Sequence, residues 1–81
     1  MGFTMKYIVV ETPDGLPAAV IFSEALTHFD VAKSFKKVTG AGFCNAAAEV
    51  WGHSESLNIE SKPADAVIVR LSIGLSVNPK P

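Results

Sequence analysis

Residues 64–77, ADAVIVRLSIGLSV, satisfy two incompatible patterns, and the choice between them decides the fold. Ala64, Val67, Ile68, Leu71 and Leu75 recur at i, i+3, i+4, i+7 and i+11, the spacing of one helical face. Yet Val67, Val69, Leu71, Ile73, Leu75 and Val77 also alternate without a miss, and β-branched residues prefer strands. Just upstream, Ser61-Lys62-Pro63-Ala64-Asp65 has the chemistry of a helix start, with Pro and an acid in the first turn. Pattern alone slightly favours a strand, which would be the fifth in a sheet with a single helix. The other reading is a second helix over residues 62–75.

Upstream of this stretch the elements are easier to read. Residues 5–12, MKYIVVET, are rich in β-branched and aromatic side chains and predict a strand. Residues 13–17, PDGLP, are turn chemistry, and residues 18–22, AAVIF, give a second strand of an antiparallel hairpin. A helix is expected over residues 28–39. Thr27 supplies the N-cap hydroxyl and Asp30 a carboxylate in the first turn. Phe29, Ala32, Phe35 and Val38, with Val31 beside them, would face the sheet, and Lys33, Lys36 and Lys37 would face away. Residues 42–52 are read as a third strand. It continues through the turn at 51–56 into a fourth at 56–60, where Leu57 and Ile59 alternate with polar residues.

Several of these stretches, MKYIVVET, THFDVA, GAGF and WGHSESLNIESKPADA, resemble a group of small phage and prophage proteins with no assigned activity. The resemblance covers most of residues 5–74. In that group the segment matching SKPADAVIVRLSIG carries more charge and looks helical, which implies the helix here too, although Val67, Leu71 and Ile73 stand at positions that look polar or small in the group. The expected fold is therefore α+β, ββαββα, with an antiparallel sheet and helices on one face. One domain spans residues 5–77, with residues 1–4 as an extension and residues 78–81 as a mobile tail. What the resemblance implies functionally is a setting: small phage proteins of this kind often act by binding a host protein.

Composition narrows the function further. A chain of 81 residues buries only about 60–65% of its unfolded surface, so its core is marginal. A single cysteine, Cys44, excludes an intramolecular disulfide and fits a reducing compartment. The chain is 48% hydrophobic and 19% charged, against roughly 25% charged in ordinary soluble domains, so apolar surface should remain after the monomer folds. A homo-oligomer, a dimer first of all, or a standing protein partner would cover it. The net charge of −1 supplies no basic field for nucleic acid. No uncharged apolar run approaches the roughly 18 residues of a membrane span, and the start lacks the pattern of a signal peptide, so a cytoplasmic protein is expected.

Chemistry-bearing residues are sparse. WGHSES, residues 51–56, begins like a nucleophile elbow, but the elbow is G-x-S-x-G and Ser56 stands at its closing position. No histidine follows Ser54, so a polar turn is the better reading. Cys44 with His53 or His28 would make a Cys–His pair only if folding brought them within hydrogen-bond reach. His28, Asp30, Cys44 and His53 lack any metal-ligand spacing, so no metal or other cofactor is expected. Gly40-Ala41-Gly42 follows a helix end and does not precede a helix, unlike a phosphate-binding loop.

Trp51, the only tryptophan, stands beside a polar turn. Tryptophan is enriched at interface hot spots but also caps the ends of small sheets. If leftover apolar surface lies near it, Trp51, His53 and Glu55 form a recognition patch. The expectation is thus a non-catalytic, self-associating protein-interaction module. The alternative is a small-ligand- or nucleic-acid-binding protein that uses Lys33, Lys36 and Lys37.

Overall fold

The computed structural model describes residues 4–77. The expected tail at residues 78–81, and all but Thr4 of the expected extension, lie outside the described residues. Strand β1 (Met5–Glu11) runs through the middle of the molecule, and its YIVV run is buried on both sides: Tyr7, Ile8, Val9 and Val10 are each at most 4% exposed. Each such Val or Ile contributes roughly 1.5–3 kcal/mol when fully buried. β1 pairs with β2 (Pro17–Phe22) across the Pro-Asp-Gly turn and, on its other edge, with β3 (Val38–Cys44). β4 (Val50–Trp51) extends β3, giving a four-stranded antiparallel sheet in the order β2-β1-β3-β4. A separate ribbon of β5 (His53–Ser54) and β6 (Ile59–Glu60) follows. Helices α1 (His28–Ala32) and α2 (Asp65–Val77) complete the fold.

The α+β class and the antiparallel sheet are as expected, and residues 65–77 form a helix, not a fifth strand. The helices, however, lie on opposite faces of the sheet. Side chains of β1 alternate: Tyr7 and Val9 pack with Cys44 and with Val69 of α2, whereas Ile8 and Val10 pack with Ala41 and with Ala32 of α1. The β5–β6 ribbon folds over the α1 face through Leu57 and Ile59. With the Tyr7–Val10 run of β1 apolar on both faces, one helix layer could not cover both.

Three further boundaries depart from expectation, and one is the fourth strand, expected at 56–60, which is reduced to Ile59–Glu60 after a turn at 55–58. The first helix ends at Ala32, with Lys33 as its C-cap, so Lys33, Lys36 and Lys37 share no helix face. Val38 and Thr39 belong to β3 instead: Val38 pairs with Val10, Val9 pairs with Gly40, and the register shift leaves Thr39 as a bulge. Because the helix is short, His28 and Ala32 face the sheet, while Phe29 and Phe35 are 55% and 40% exposed. The expected third strand across residues 42–52 is broken by a turn. Asn45 organises it, its Oδ1 accepting from the backbone N–H of both Ala47 and Glu49.

α2 is tied to the sheet by a polar contact inside the core. The Tyr7 hydroxyl donates to Asp65 Oδ2 at 2.6 Å, and the backbone N–H of Lys62 donates to the same oxygen at 3.0 Å. The second bond is half a capping box at the helix start that Pro63 opens. Asp65 reaches this position because Gly40 has no side chain: a Cβ there would lie 2.7 Å from Asp65 Oδ2. Farther along α2, Ser72 Oγ accepts the Ala19 N–H of edge strand β2 at 3.2 Å, blunting an otherwise open edge. Lys62 Nζ also donates to the Thr39 carbonyl at the bulge.

Gly40→Ala should therefore destabilise the protein by about 1–3 kcal/mol through overpacking against the carboxylate. A lower urea midpoint with an unchanged slope is the expected signature, and an unchanged midpoint would contradict the packing.

Candidate functional site

Against the α1 face of the sheet lies an open cleft of about 590 Å³. Its floor is the cross-strand pair Lys6 and Phe43. Glu24, Thr27 and His28, from the β2–α1 connection and the start of α1, form one side, and Trp51, Gly52, His53, Glu55 and Ser56 form the other. The expected recognition residues Trp51, His53 and Glu55 thus line one cleft together. Trp51 is neither a core tryptophan nor free on the surface. Its indole stacks on Phe43, with ring centroids 6.5 Å apart and planes inclined by 17°, and 40% of the residue stays exposed. Gly52 makes the bend after it, with φ +76°, a conformation glycine adopts without strain.

Sequence reasoning missed most of the other lining residues, namely Lys6, Glu24, Thr27, His28 and Phe43. A signal for Lys6 exists in retrospect: Lys6, Ile8 and Val10 share one face of β1, so the lysine ends a buried row. His28 is buried, with Nε2 2.9 Å from the Gly42 carbonyl oxygen. As a donor to that carbonyl, Nε2 carries the proton of the neutral ring. The ring also stands edge-on to Phe22 and Phe43. Burial holds its pKa below the ordinary 6.5. Thr27 caps α1, its Oγ1 accepting the Asp30 N–H at 3.0 Å.

The nucleophile candidates are shut away from the cleft. Ser54 is 1% exposed, and its Oγ accepts the Leu57 N–H at 3.2 Å, so it closes the turn between β5 and β6. Cys44 is fully buried on the α2 face, opposite His28, and burial pushes its thiol up to about 11. A Cys–His28 pair is therefore excluded by the sheet between them. Among the described residues no three His, Cys, Asp or Glu side chains cluster to hold a metal ion. Lys33 and Lys37 pair with Asp30 at 3.9 Å and Glu11 at 3.4 Å. With the helix ending before them, the three lysines share no helix face. No helix among the described residues is long and apolar enough to cross a membrane. Comparison with known protein families, curated proteins and solved structures finds no match for this chain.

Two outcomes follow from the buried groups. Native protein at neutral pH should react with a thiol reagent such as DTNB only through transient opening, at least about a hundredfold slower than in denaturant, because an equilibrium of several kcal/mol protects Cys44. Rapid stoichiometric labelling of the folded protein would contradict its burial. For His28, whose folded pKa lies below the unfolded value, the unfolded state binds the proton more readily. Stability is thus fully present above about pH 6.5 and falls as the pH drops from there towards the folded pKa. His28→Gln should flatten the urea midpoint over that window, and an unchanged pH dependence would show that His28 is not its source.

Proposed function

We propose that this chain is a non-catalytic protein-interaction module whose recognition surface is the cleft lined by Trp51, His53 and Glu55. One observation carries the reading: a tryptophan braced from behind by Phe43 yet 40% exposed at an open cleft. A rigid, partly desolvated indole is the kind of anchor that dominates interface energetics. The buried state of Ser54 and Cys44 supports a binding role over a catalytic one. The nucleic-acid alternative loses support, since Lys33 and Lys37 are engaged by carboxylates and no helix face carries them with Lys36. A phage accessory role, with a host protein as partner in the cytoplasm, is the biological setting that the sequence resemblance offers for such a module.

A second reading, self-association as a homodimer, is favoured by α2. Val67 and Leu71, four residues apart, are 61% and 62% exposed on the side of the helix away from the sheet. Two copies laying this stripe against each other would cover the surplus apolar surface that the composition implies.

Selection from a random displayed peptide library separates the cleft from a passive surface. Wild type should enrich a convergent motif, and Trp51→Ala should enrich none while keeping its urea midpoint within about 1 kcal/mol of stability. Equal enrichment on both proteins, or none on either, would contradict the cleft. For the helix, Leu71→Lys should weaken the dimer at least about tenfold in sedimentation velocity. A wild-type monomer at all accessible concentrations would contradict self-association.

A further inference from the structure

The charges around the cleft point to the chemistry of its occupant. Glu24 and Glu55 both line it and both are exposed. Among the described residues the ion pairs are Lys33–Asp30 and Lys37–Glu11, so neither cleft carboxylate has a cationic partner among those residues. Lys6, the one lysine or arginine among the described lining residues, sends its ammonium to the Leu26 carbonyl at 2.8 Å. The His28 ring donates Nε2–H to the Gly42 carbonyl, and burial lowers its pKa below the ordinary 6.5, so it adds no positive charge at neutral pH. Glu24 comes from the β2–α1 connection and Glu55 from the β5–β6 turn, and both line the cleft with Phe43 and Trp51. A π face next to unpaired carboxylates is complementary to a planar cation.

Building on the reading of the cleft as a recognition surface, we infer that it accepts an arginine side chain of a partner protein, the guanidinium stacking on Trp51 and bonding to Glu55 or Glu24. Arginine fits better than lysine. Its guanidinium is planar, weakly hydrated and able to lie on an indole while its edge donates to a carboxylate. The apolar part of the arginine stem would cover the exposed portion of the indole. A basic segment would also approach this side of the protein down a favourable local field that the net charge of −1 does not oppose.

Trp51 is the sole tryptophan, so its emission reports this cleft directly. Three short acetylated Gly-Ser peptides serve as probes, carrying at one position arginine, its uncharged isostere citrulline, or norleucine. The arginine peptide should give a saturable change in Trp51 emission. Binding should weaken at least about tenfold with citrulline and as salt is raised, consistent with a loss of about 1.4 kcal/mol. The double variant Glu24→Gln/Glu55→Gln, altered only at exposed positions, should lose the same preference while its urea midpoint stays put. Equal binding of citrulline or norleucine would overturn the cationic assignment and leave the cleft standing as an apolar recognition site. No saturable response to any probe would overturn the assignment outright, and the peptide-library selection then decides independently whether the cleft recognises protein at all.

Discussion

A single buried hydrogen bond joins the first strand to the last helix. Tyr7, fully buried in the central strand, donates to Asp65 at the start of the last helix, 58 residues away. A carboxylate 4% exposed would be costly to keep without partners, but here one oxygen receives both the tyrosine hydroxyl and the Lys62 amide. Burial first, and then the neighbouring Asp65 carboxylate, raise the Tyr7 pKa far above its usual value, so the phenol stays protonated as the donor. Unlike apolar packing, this contact is directional. It sets which face of the sheet α2 covers and where the helix begins, and Gly40 exists in this position as the space the carboxylate occupies.

The rest of the architecture depends on that assignment. With α2 committed to the Tyr7 and Val9 face, the Ile8 and Val10 face must be covered by shorter pieces, α1 and the β5–β6 ribbon. These two do not meet over the end of the sheet near Lys6 and Phe43, and the cleft is the gap between them. The candidate site is therefore a by-product of dividing two apolar faces between one long element and two short ones. Its aromatic floor is sheet, which holds it rigid. Its charged margins are connecting segments, where substitutions cost the fold least.

How much of this was legible in the residues depends on the length scale of the signal. The β1–β2 hairpin is written locally, in an apolar run, a Pro-Asp-Gly turn and a second run. α2 is ambiguous by periodicity because Val67 and Leu71 are apolar yet exposed, so residues on both sides of the helix read as core. Its capping chemistry at Pro63 and Asp65 was the more reliable cue. The overlong first helix shows the opposite failure. Residues 33–39 have acceptable helical spacing, but Val38 pairs with Val10 across the sheet, and a non-local ladder outweighs a few tenths of a kcal/mol of helix propensity. Of the site, the Trp51, His53 and Glu55 side was legible because it is contiguous in sequence. Lys6, Glu24, His28 and Phe43 were not, since only strand pairing and the fold of α1 bring them opposite it.

The most direct measurement is a double-mutant cycle on the Tyr7–Asp65 contact, using Tyr7→Phe, Asp65→Ala and the double variant in urea denaturation. If this bond anchors α2 to the sheet, the two substitutions will couple by about 1–3 kcal/mol, the double variant losing less than the sum of the singles. Additive losses, to within about 0.5 kcal/mol, would mean that the two groups contribute independently and that apolar packing alone places the helix.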